Sequence, residues 1–263
     1  MRNIIVHYHI FKNAGTSIDR VLEENFGAGW ATLEGSGATS LLRAPDVQAY
    51  VAEHPGLEAI SSHLARPPLP QGFSVLPIVF LRHPLDRAAS VYSQERRAAA
   101  TVKSAEIAKM RDFRGYVQWC LNEYEGRDKG GGVIRNYQVV HLSDASFRNG
   151  HIHKAEADRH DLQQAIRFLN GLPFFGIVEK FQLSLRLLQA VAQKMWPRFH
   201  ATNARENISP DRTQNLYHRM AKVQRDLGFG LWQWLVEENT LDFELYAWAR
   251  EQFRENCNRW EIA

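Results

Sequence analysis

The chain has 263 residues, of which 44% are apolar and 23% charged, and it contains no repeat or low-complexity tract, which argues against intrinsic disorder and solenoid architectures. Its net charge of +3 suits an anionic ligand but is too small to indicate a nucleic-acid surface. No apolar run approaches the roughly 20 residues that span a bilayer, so we expect a cytoplasmic protein without membrane insertion or a signal peptide.

The first elements along the chain are predicted to be a strand, a tight loop and a helix. The run "NIIVHYHI" from Asn3 is apolar and rich in β-formers, and "TSIDRVLEENFG" places apolar residues at helical spacing before Gly27 as the stop. The following stretch, "GWATLEGSGATSLLRAP", is rich in Gly and Ser and is predicted to be irregular.

Two further strands follow. After a short helix in "DVQAYVAEHPG", the run "EAISSH" predicts a strand with His63 at its end. The continuous apolar run from Leu76 to Leu81 is typical of a buried parallel strand, which Pro84 halts. Arg82 and His83 are therefore expected at its carboxyl end.

The rest of the chain is predicted to be mainly helical. A late strand, "FFGIV", is expected to join the sheet as its fourth member, and residues 213–260 alternate apolar and charged residues at helical spacing. Strands alternating with helices predict an α/β fold with a doubly wound parallel sheet flanked by helices and a helical C-terminal region. We expect one domain over residues 1–263.

The loop "FKNAGTSI" predicts an anion site. A strand followed by a small-residue loop and a helix that opens on Thr16 and Ser17 brings backbone N–H groups and the helix dipole together. A nucleotide-triphosphatase loop requires G-x-x-x-x-G-K-[ST], whereas here Gly15 precedes Thr16 directly, the lysine lies at position 12, and Ile10 stands where the first glycine belongs. We therefore expect a phosphate-like ligand but not an ordinary ATP site.

Three predicted strand ends carry polar side chains. Ligands of open parallel sheets bind beyond the carboxyl ends of the strands. Lys12 follows the first strand, His63 the second and Arg82 the third, with Ser90 two turns into the next helix. We expect these groups to converge on one crevice.

The same residues carry a resemblance to a known family. "FKNAGTSI" resembles the 5′-phosphosulfate loop of sulfotransferases, usually Lys-Thr-Gly-Gly-Thr-Ser, and "FLRHPLDRAASVY" resembles their 3′-phosphate motif. By pattern the chain is most similar to the polysaccharide sulfotransferases, such as heparan sulfate 2-O-sulfotransferase. Weaker likeness continues in "NYQVVHLS", "FGIVEKFQLSL" and "NTLDFELYAWAREQF", and so covers most of the chain. In the loop, Asn13 and Ala14 replace the commoner Thr and Gly.

The resemblance implies 3′-phosphoadenosine 5′-phosphosulfate as donor and a P-loop-like sheet. Arg82 and Ser90 would bind its 3′-phosphate, and Lys12 would neutralise charge on the bridging oxygen as the bond to sulfur breaks. The loop residues expected at the 5′-phosphosulfate are Lys12, Asn13, Ala14, Gly15, Thr16 and Ser17. Position and resemblance together make His63 the general base that takes the proton of a hydroxyl on a saccharide or small-molecule acceptor.

No metal is predicted. A transferring sulfuryl group carries less negative charge than a γ-phosphoryl group and needs no magnesium clamp. His151 and His153 in "GHIH" lack an accompanying carboxylate or cysteine at ligand spacing. Cys120 and Cys257 are too few for a disulfide framework and wrongly spaced for zinc, and we expect both to be reduced and structural.

Other functions remain open from the sequence. A P-loop nucleotide kinase would need a lysine directly before Thr16 and an aspartate at a strand end for magnesium. A non-catalytic nucleotide-binding module would need Lys12, Arg82 and Ser90 but not His63. His63 itself could also be an inert strand-end histidine, and His7 and His9 are expected to be packing or supporting groups.

Overall fold

A computed structural model describes residues 1–35, 40–99, 102–122, 124–126, 129–148, 156–201 and 215–262. His151 and His153 lie outside the described residues. The residues group into two compact units, one comprising Met1–Leu81, Gln164–Asn207 and Ala247–Ala263, the other Arg82–Gln163 and Ile208–Tyr246. The single domain expected from the sequence stays a prediction.

The first unit contains a parallel sheet and its helices. The strands are β1 (Asn3–Tyr8), β2 (Trp30–Thr32), β3 (Ala59–Ser62), β4 (Ser74–Ile78), β5 (Phe80–Leu81) and β6 (Gly176–Ile177). The helices wholly inside this unit are α1 (Gly15–Phe26), α2 (Ala44–Glu53) and α9 (Phe181–Ala192). The coarse prediction of an α/β fold with a central parallel sheet flanked by helices is confirmed.

The second unit is helical in its described residues. Its helices are α3 (Pro84–Arg97), α4 (Lys103–Met110), α5 (Phe113–Leu121), α6 (Tyr137–His141), α7 (Ala145–Arg148), α10 (Leu216–Leu227) and α11 (Phe229–Glu237). Two more helices, α8 (Arg159–Asn170) and α12 (Thr240–Arg259), have residues in both units. The predicted helical C-terminal region is therefore confirmed for the described residues.

The main sheet has the order β2-β3-β1-β4, with every neighbouring pair parallel. Strand β1 lies between two partners, and its apolar residues Ile4, Ile5 and Val6 are fully buried, as expected for a strand covered on both faces. The register pairs Tyr8 with Ser62 and Thr32 with Ser61, so β1, β3 and β2 end at the same edge of the sheet.

The predicted continuous strand from Leu76 to Leu81 is wrong in one respect, because it is two strands. β4 pairs with β1, whereas β5 pairs with β6 in a separate two-stranded ladder, and the change of partner occurs at Val79, whose carbonyl accepts the Gly176 N–H at 2.8 Å. The late strand therefore pairs with β5 and does not extend the main sheet as its fourth strand. An apolar run alone shows burial, not the identity of the hydrogen-bonding partner.

The stretch predicted to be irregular contains β2, a short edge strand of the main sheet. Its three residues are too few for a recognisable alternation, and it forms because β3 offers its backbone groups. Cys120 and Cys257 are buried free thiols, and burial raises the pKa of both. Among the described residues, no helix is both long enough and apolar enough to cross a bilayer.

Candidate functional site

The loop between β1 and α1 has the backbone of an anion-binding turn. Lys12 and Ala14 both adopt left-handed conformations, with φ of 68° and 64°, which is uncommon for residues other than glycine. Such alternation turns successive N–H groups toward one side, and it is maintained at a cost of about 1–3 kcal/mol per residue. Within the described residues, the N–H groups of Gly15 and Thr16 donate to no backbone carbonyl. These two donors therefore lie at the start of α1, where its dipole favours an anion.

Asn13 acts as the anchor of this loop. Its side-chain amide donates to the carbonyl of Phe80 at 2.7 Å, and its backbone N–H donates to Ile10 at 3.0 Å. The backbone N–H of Asn13 therefore has a partner inside the loop, and the assignment of Asn13 to the donor site stays a prediction. The buried amide gives a structural reason for an asparagine here.

Position 15 has room only for glycine, because the ring of His9 lies against its Cα atom. A Cβ atom built on Gly15 would lie 1.9 Å from Cδ2 and Nε2 of that imidazole, far closer than any real contact. The close approach places the ring edge of His9 directly against the beginning of α1. Thr16 next to it is exposed, whereas Ser17 is buried.

His63 lies at the carboxyl end of β3, as predicted, and it reaches the loop through His9. The two imidazole rings stack with centroids 3.8 Å apart. The His63 side chain remains 44% exposed. The first unit therefore brings together two of the groups that the sequence singled out, the loop after β1 and the histidine after β3.

A carboxylate that the sequence analysis did not identify holds His63. Glu34 follows β2 at the same sheet edge, and its Oε1 lies 2.9 Å from His63 Nδ1 and accepts the His63 backbone N–H at 3.2 Å. Burial raises the pKa of Glu34, but the hydrogen bonds from His63 outweigh this effect, so the net shift is downward. No local sequence pattern marked Glu34, because it stands in a stretch without periodicity.

A second carboxylate, Asp19 on α1, bridges the two histidines of β1. His7 Nδ1 lies 2.9 Å from one oxygen of Asp19, and His9 Nδ1 lies 3.2 Å from the other. Burial lowers the pKa of His9 to about 4; the hydrogen bond to Asp19 opposes this shift, and neighbouring His7 and His63 add to it. The pKa of Asp19 is raised by burial but lowered more by hydrogen bonds from both imidazoles. These residues match the supporting role expected of His7 and His9.

His7, His9 and Asp19 are also residue types that bind metal ions. The candidate ligand atoms of His7, His9 and Asp19 all lie within 4.8 Å of one another, a spacing that a metal ion could occupy. In the structure each imidazole Nδ1 is instead within hydrogen-bonding distance of the carboxylate, which satisfies both groups without an ion. The absence of a metal stays a prediction, and chelation tests it.

Arg82 belongs to the second unit, where it is 3% exposed and paired with Asp86. Its Nε and Nη2 donate to one carboxylate oxygen at 2.8 and 2.7 Å, while Arg219 on α10 donates to both oxygens of the same group. Burial raises the pKa of Asp86, but the two guanidinium groups lower it further than burial raises it. Arg82 therefore has a structural partner in Asp86, and its assignment to the 3′-phosphate stays a prediction.

The backbone of Arg82 is held by a buried side-chain amide. Gln138 accepts the Arg82 N–H and donates to its carbonyl, both at 2.9 Å. Asp242 in turn accepts from the backbone N–H groups of Gln138 and Val139. These residues come from "NYQVVHLS" and "NTLDFELYAWAREQF", two of the stretches that weakly resemble the sulfotransferases. Both stretches therefore contact the beginning of the segment that resembles the 3′-phosphate motif.

Ser90 is half-buried on α3. Lys12 is half-buried too, with its Nζ 5.8 Å from the ring centroid of Phe11. Lys12 and His63 belong to the first unit and Arg82 and Ser90 to the second. The convergence of all four on one crevice stays a prediction.

Comparison with known proteins identifies a full-length relative. The chain is 29% identical over 264 residues to an uncharacterized protein of Archaeoglobus fulgidus, covering 97% of this chain and 98% of the relative. No protein-family model matches the chain. The chain therefore resembles an archaeal protein along nearly its whole length.

Proposed function

We propose that this chain is a sulfotransferase with a P-loop-like fold, which moves a sulfuryl group from 3′-phosphoadenosine 5′-phosphosulfate to a hydroxyl group. One observation carries the proposal: an exposed imidazole, His63, stacks at 3.8 Å on His9, whose ring lies against Gly15 of a strained anion-type loop. A base next to an anion-binding turn is what transfer of an anionic group to a hydroxyl requires. The acceptor class, a saccharide or a small molecule, follows the resemblance to polysaccharide sulfotransferases.

The loop residues would bind the end of the donor that reacts. The N–H groups of Gly15 and Thr16, with the Thr16 hydroxyl, suit phosphate oxygens at the start of α1. Lys12, four residues after β1 ends, carries the positive charge of this loop. It would stabilise the negative charge that develops on the bridging oxygen as the bond to sulfur breaks.

His63 would serve as the general base. The hydroxyl oxygen of the acceptor attacks sulfur, its proton passes to the imidazole, and the electron pair of the broken bond stays on the 5′-phosphate of the nucleotide product. Side-chain exposure of 44% gives an acceptor access to this ring, in contrast to the buried His7 and His9. A positioned base of this kind contributes about 10²- to 10⁴-fold.

The 3′-phosphate is assigned to Arg82 and Ser90 by the family motif, and the second unit supplies a physical basis. The guanidinium groups of Arg82 and Arg219 both bind the carboxylate of Asp86, which fixes their positions. A guanidinium whose orientation is fixed by a carboxylate is pre-organised for a second anion. Gln138 keeps the backbone at Arg82 in place.

The direct test is a reaction with a panel of acceptors. The purified chain is incubated with the sulfate donor and hydroxylated acceptors, and the mass of each acceptor is followed. We expect one class to gain a sulfuryl group. If the chain transfers the γ-phosphoryl group of ATP instead, it is the kinase; if it binds nucleotide but transfers nothing, it is a binding module.

Substitution of Arg82 tests the donor site separately. A charge-assisted contact is worth about 1.5–3 kcal/mol, so Arg82→Ala is expected to weaken binding of the 3′-phosphorylated nucleotide about ten- to a hundredfold in calorimetry. Adenosine 5′-phosphosulfate, which lacks the 3′-phosphate, should bind far more weakly to the unsubstituted chain. Arg225→Ala, which removes an exposed arginine of α10, is the control. Equal affinities for the two nucleotides would contradict the assignment.

A further inference from the structure

We infer that Glu34 is a positioning residue for His63, holding the imidazole in the tautomer and orientation in which Nε2 accepts the acceptor's proton. The inference rests on the proposed function, since it concerns the same site. It starts from one carboxylate oxygen, Oε1 of Glu34, that lies 2.9 Å from His63 Nδ1 and also accepts the His63 backbone N–H at 3.2 Å. A carboxylate that binds both the ring and the backbone of one residue fixes the ring relative to the chain.

The sheet itself places this pair. β2 and β3 are parallel neighbours with Thr32 opposite Ser61, and the Leu33 N–H continues the ladder by donating to the Ser61 carbonyl at 2.8 Å. Glu34 directly follows Leu33 after the end of β2, and His63 lies two residues beyond Ser61, just after β3. The contact therefore follows from strand register, unlike an ion pair between two long side chains that meet on a surface.

The carboxylate decides which ring nitrogen carries the proton. An ionised carboxylate can only accept hydrogen bonds, so the close contact requires a hydrogen on Nδ1 and leaves the lone pair on Nε2. In the described part of the chain, Nε2 of His63 makes no hydrogen bond, and 44% of the side chain is exposed. The atom that would receive the proton is thus both basic and accessible.

Two other groups contact His63. His9 stacks on one face, and the Arg66 guanidinium donates to the His63 carbonyl at 2.9 Å. In the described ranges, the titratable and charged groups in contact with His63 are Glu34, His9 and Arg66, and burial keeps His9 neutral at pH 7. Glu34 is the negative charge among them, and it would stabilise the imidazolium that forms when His63 takes the proton.

The test uses the full chain with ¹⁵N-labelled histidine. His63→Ala assigns the signal, and ¹⁵N–¹H correlation spectra then identify the tautomer of His63. We expect the Nδ1–H form in the unsubstituted chain, its retention in Glu34→Gln, whose amide oxygen still accepts, and a change toward the Nε2–H form in Glu34→Ala. Glu53→Gln, an exposed glutamate at the end of α2, is the control and should change nothing.

Kinetics complete the test. Both Glu34 variants should lower kcat, Glu34→Ala by about 10- to 100-fold, with nucleotide affinity unchanged. An Nε2–H tautomer in the unsubstituted chain, or a kcat loss in Glu34→Ala with the tautomer unchanged, would overturn the role of Glu34. If the tautomer responds as expected but no sulfuryl transfer occurs in any variant, the pair stands and the proposed reaction fails.

Discussion

Two histidine–carboxylate groups lie at the same edge of the sheet, and they differ mainly in exposure. His63 and Glu34 have side chains 44% and 40% exposed, whereas His7 and His9 are nearly buried around Asp19. The rings of His9 and His63 are in contact, yet their environments differ completely. Of the two rings, that of His63 has access to solvent, so under the proposed function it is the one that takes the proton of an acceptor.

The buried group has a different use. Burial holds His9 uncharged at neutral pH, and its ring covers Gly15 while Asp19 keeps it in place. A neutral, fixed imidazole next to the β1–α1 loop contributes shape without adding a titrating charge. Access to solvent thus separates a histidine–carboxylate pair that supports the fold from one that is open to a ligand.

Removal of the exposed ring is expected to have the largest effect. His63→Ala should lower kcat by about 10²- to 10⁴-fold, because no positioned base remains, while nucleotide binding should barely change. Sulfuryl-transfer rates and calorimetric nucleotide affinities measure the two effects. His54→Ala, an exposed histidine after α2, is the matched control. If the variant keeps near-normal turnover and its rate still falls at low pH, the base is another group, and His9 or His7 is the next to test.

The buried group should be visible in the pH dependence of stability. The pKa of His9 is about 4 in the folded chain, below its unfolded value of about 6.5, so the unfolded state binds a proton that the folded state does not. The free energy of unfolding is therefore unaffected by His9 above pH 6.5. It falls by about 3 kcal/mol as the pH decreases from 6.5 toward 4. Asp19, whose pKa is also lowered, removes further stability only below its unfolded value near 3.8.

Urea unfolding at a series of pH values measures this loss. His9→Gln should flatten the slope between pH 6.5 and 4, whereas His54→Gln should leave it unchanged. An equal slope in both variants would show that His9 is not held neutral by burial.

The contact between His9 and the loop can be tested by crowding it. Gly15→Ala forces a methyl group to within 1.9 Å of the His9 ring, and we expect a loss of about 1–3 kcal/mol in the free energy of unfolding. Gly56→Ala, where a Cβ meets nothing within 4 Å, is the control. If the two substitutions have the same effect in urea unfolding, His9 does not pack on Gly15 as described.

The smallest expected effect is that of chelation. The cations assigned to the reaction are side chains, and Asp19 already lies within hydrogen-bonding distance of both imidazoles of β1. Excess EDTA should leave both turnover and stability unchanged. Loss of turnover that magnesium restores would favour the kinase, and loss of stability that zinc restores would assign an ion to His7, His9 and Asp19.

Local sequence determined much of the first unit. The sequence predicted the apolar run of β1, the small-residue loop, the helical spacing of α1 and its stop at Gly27. Each of these features depends on residues that are close to each other in sequence. His63 was placed correctly at the end of β3 for the same reason. A strand end and a helix start are local events that side-chain type and spacing specify.

Tertiary structure alone decided how these pieces meet. Glu34 and His63 stand 29 positions apart and Asn13 and Phe80 67 apart, and no periodic pattern connects either pair. The division of one apolar run into β4 and β5, and the pairing of Asp86 with Arg219, depended equally on which segments became neighbours. Parallel strands are joined by long crossovers, so their register follows from packing of the whole unit, and register determines which side chains share a site.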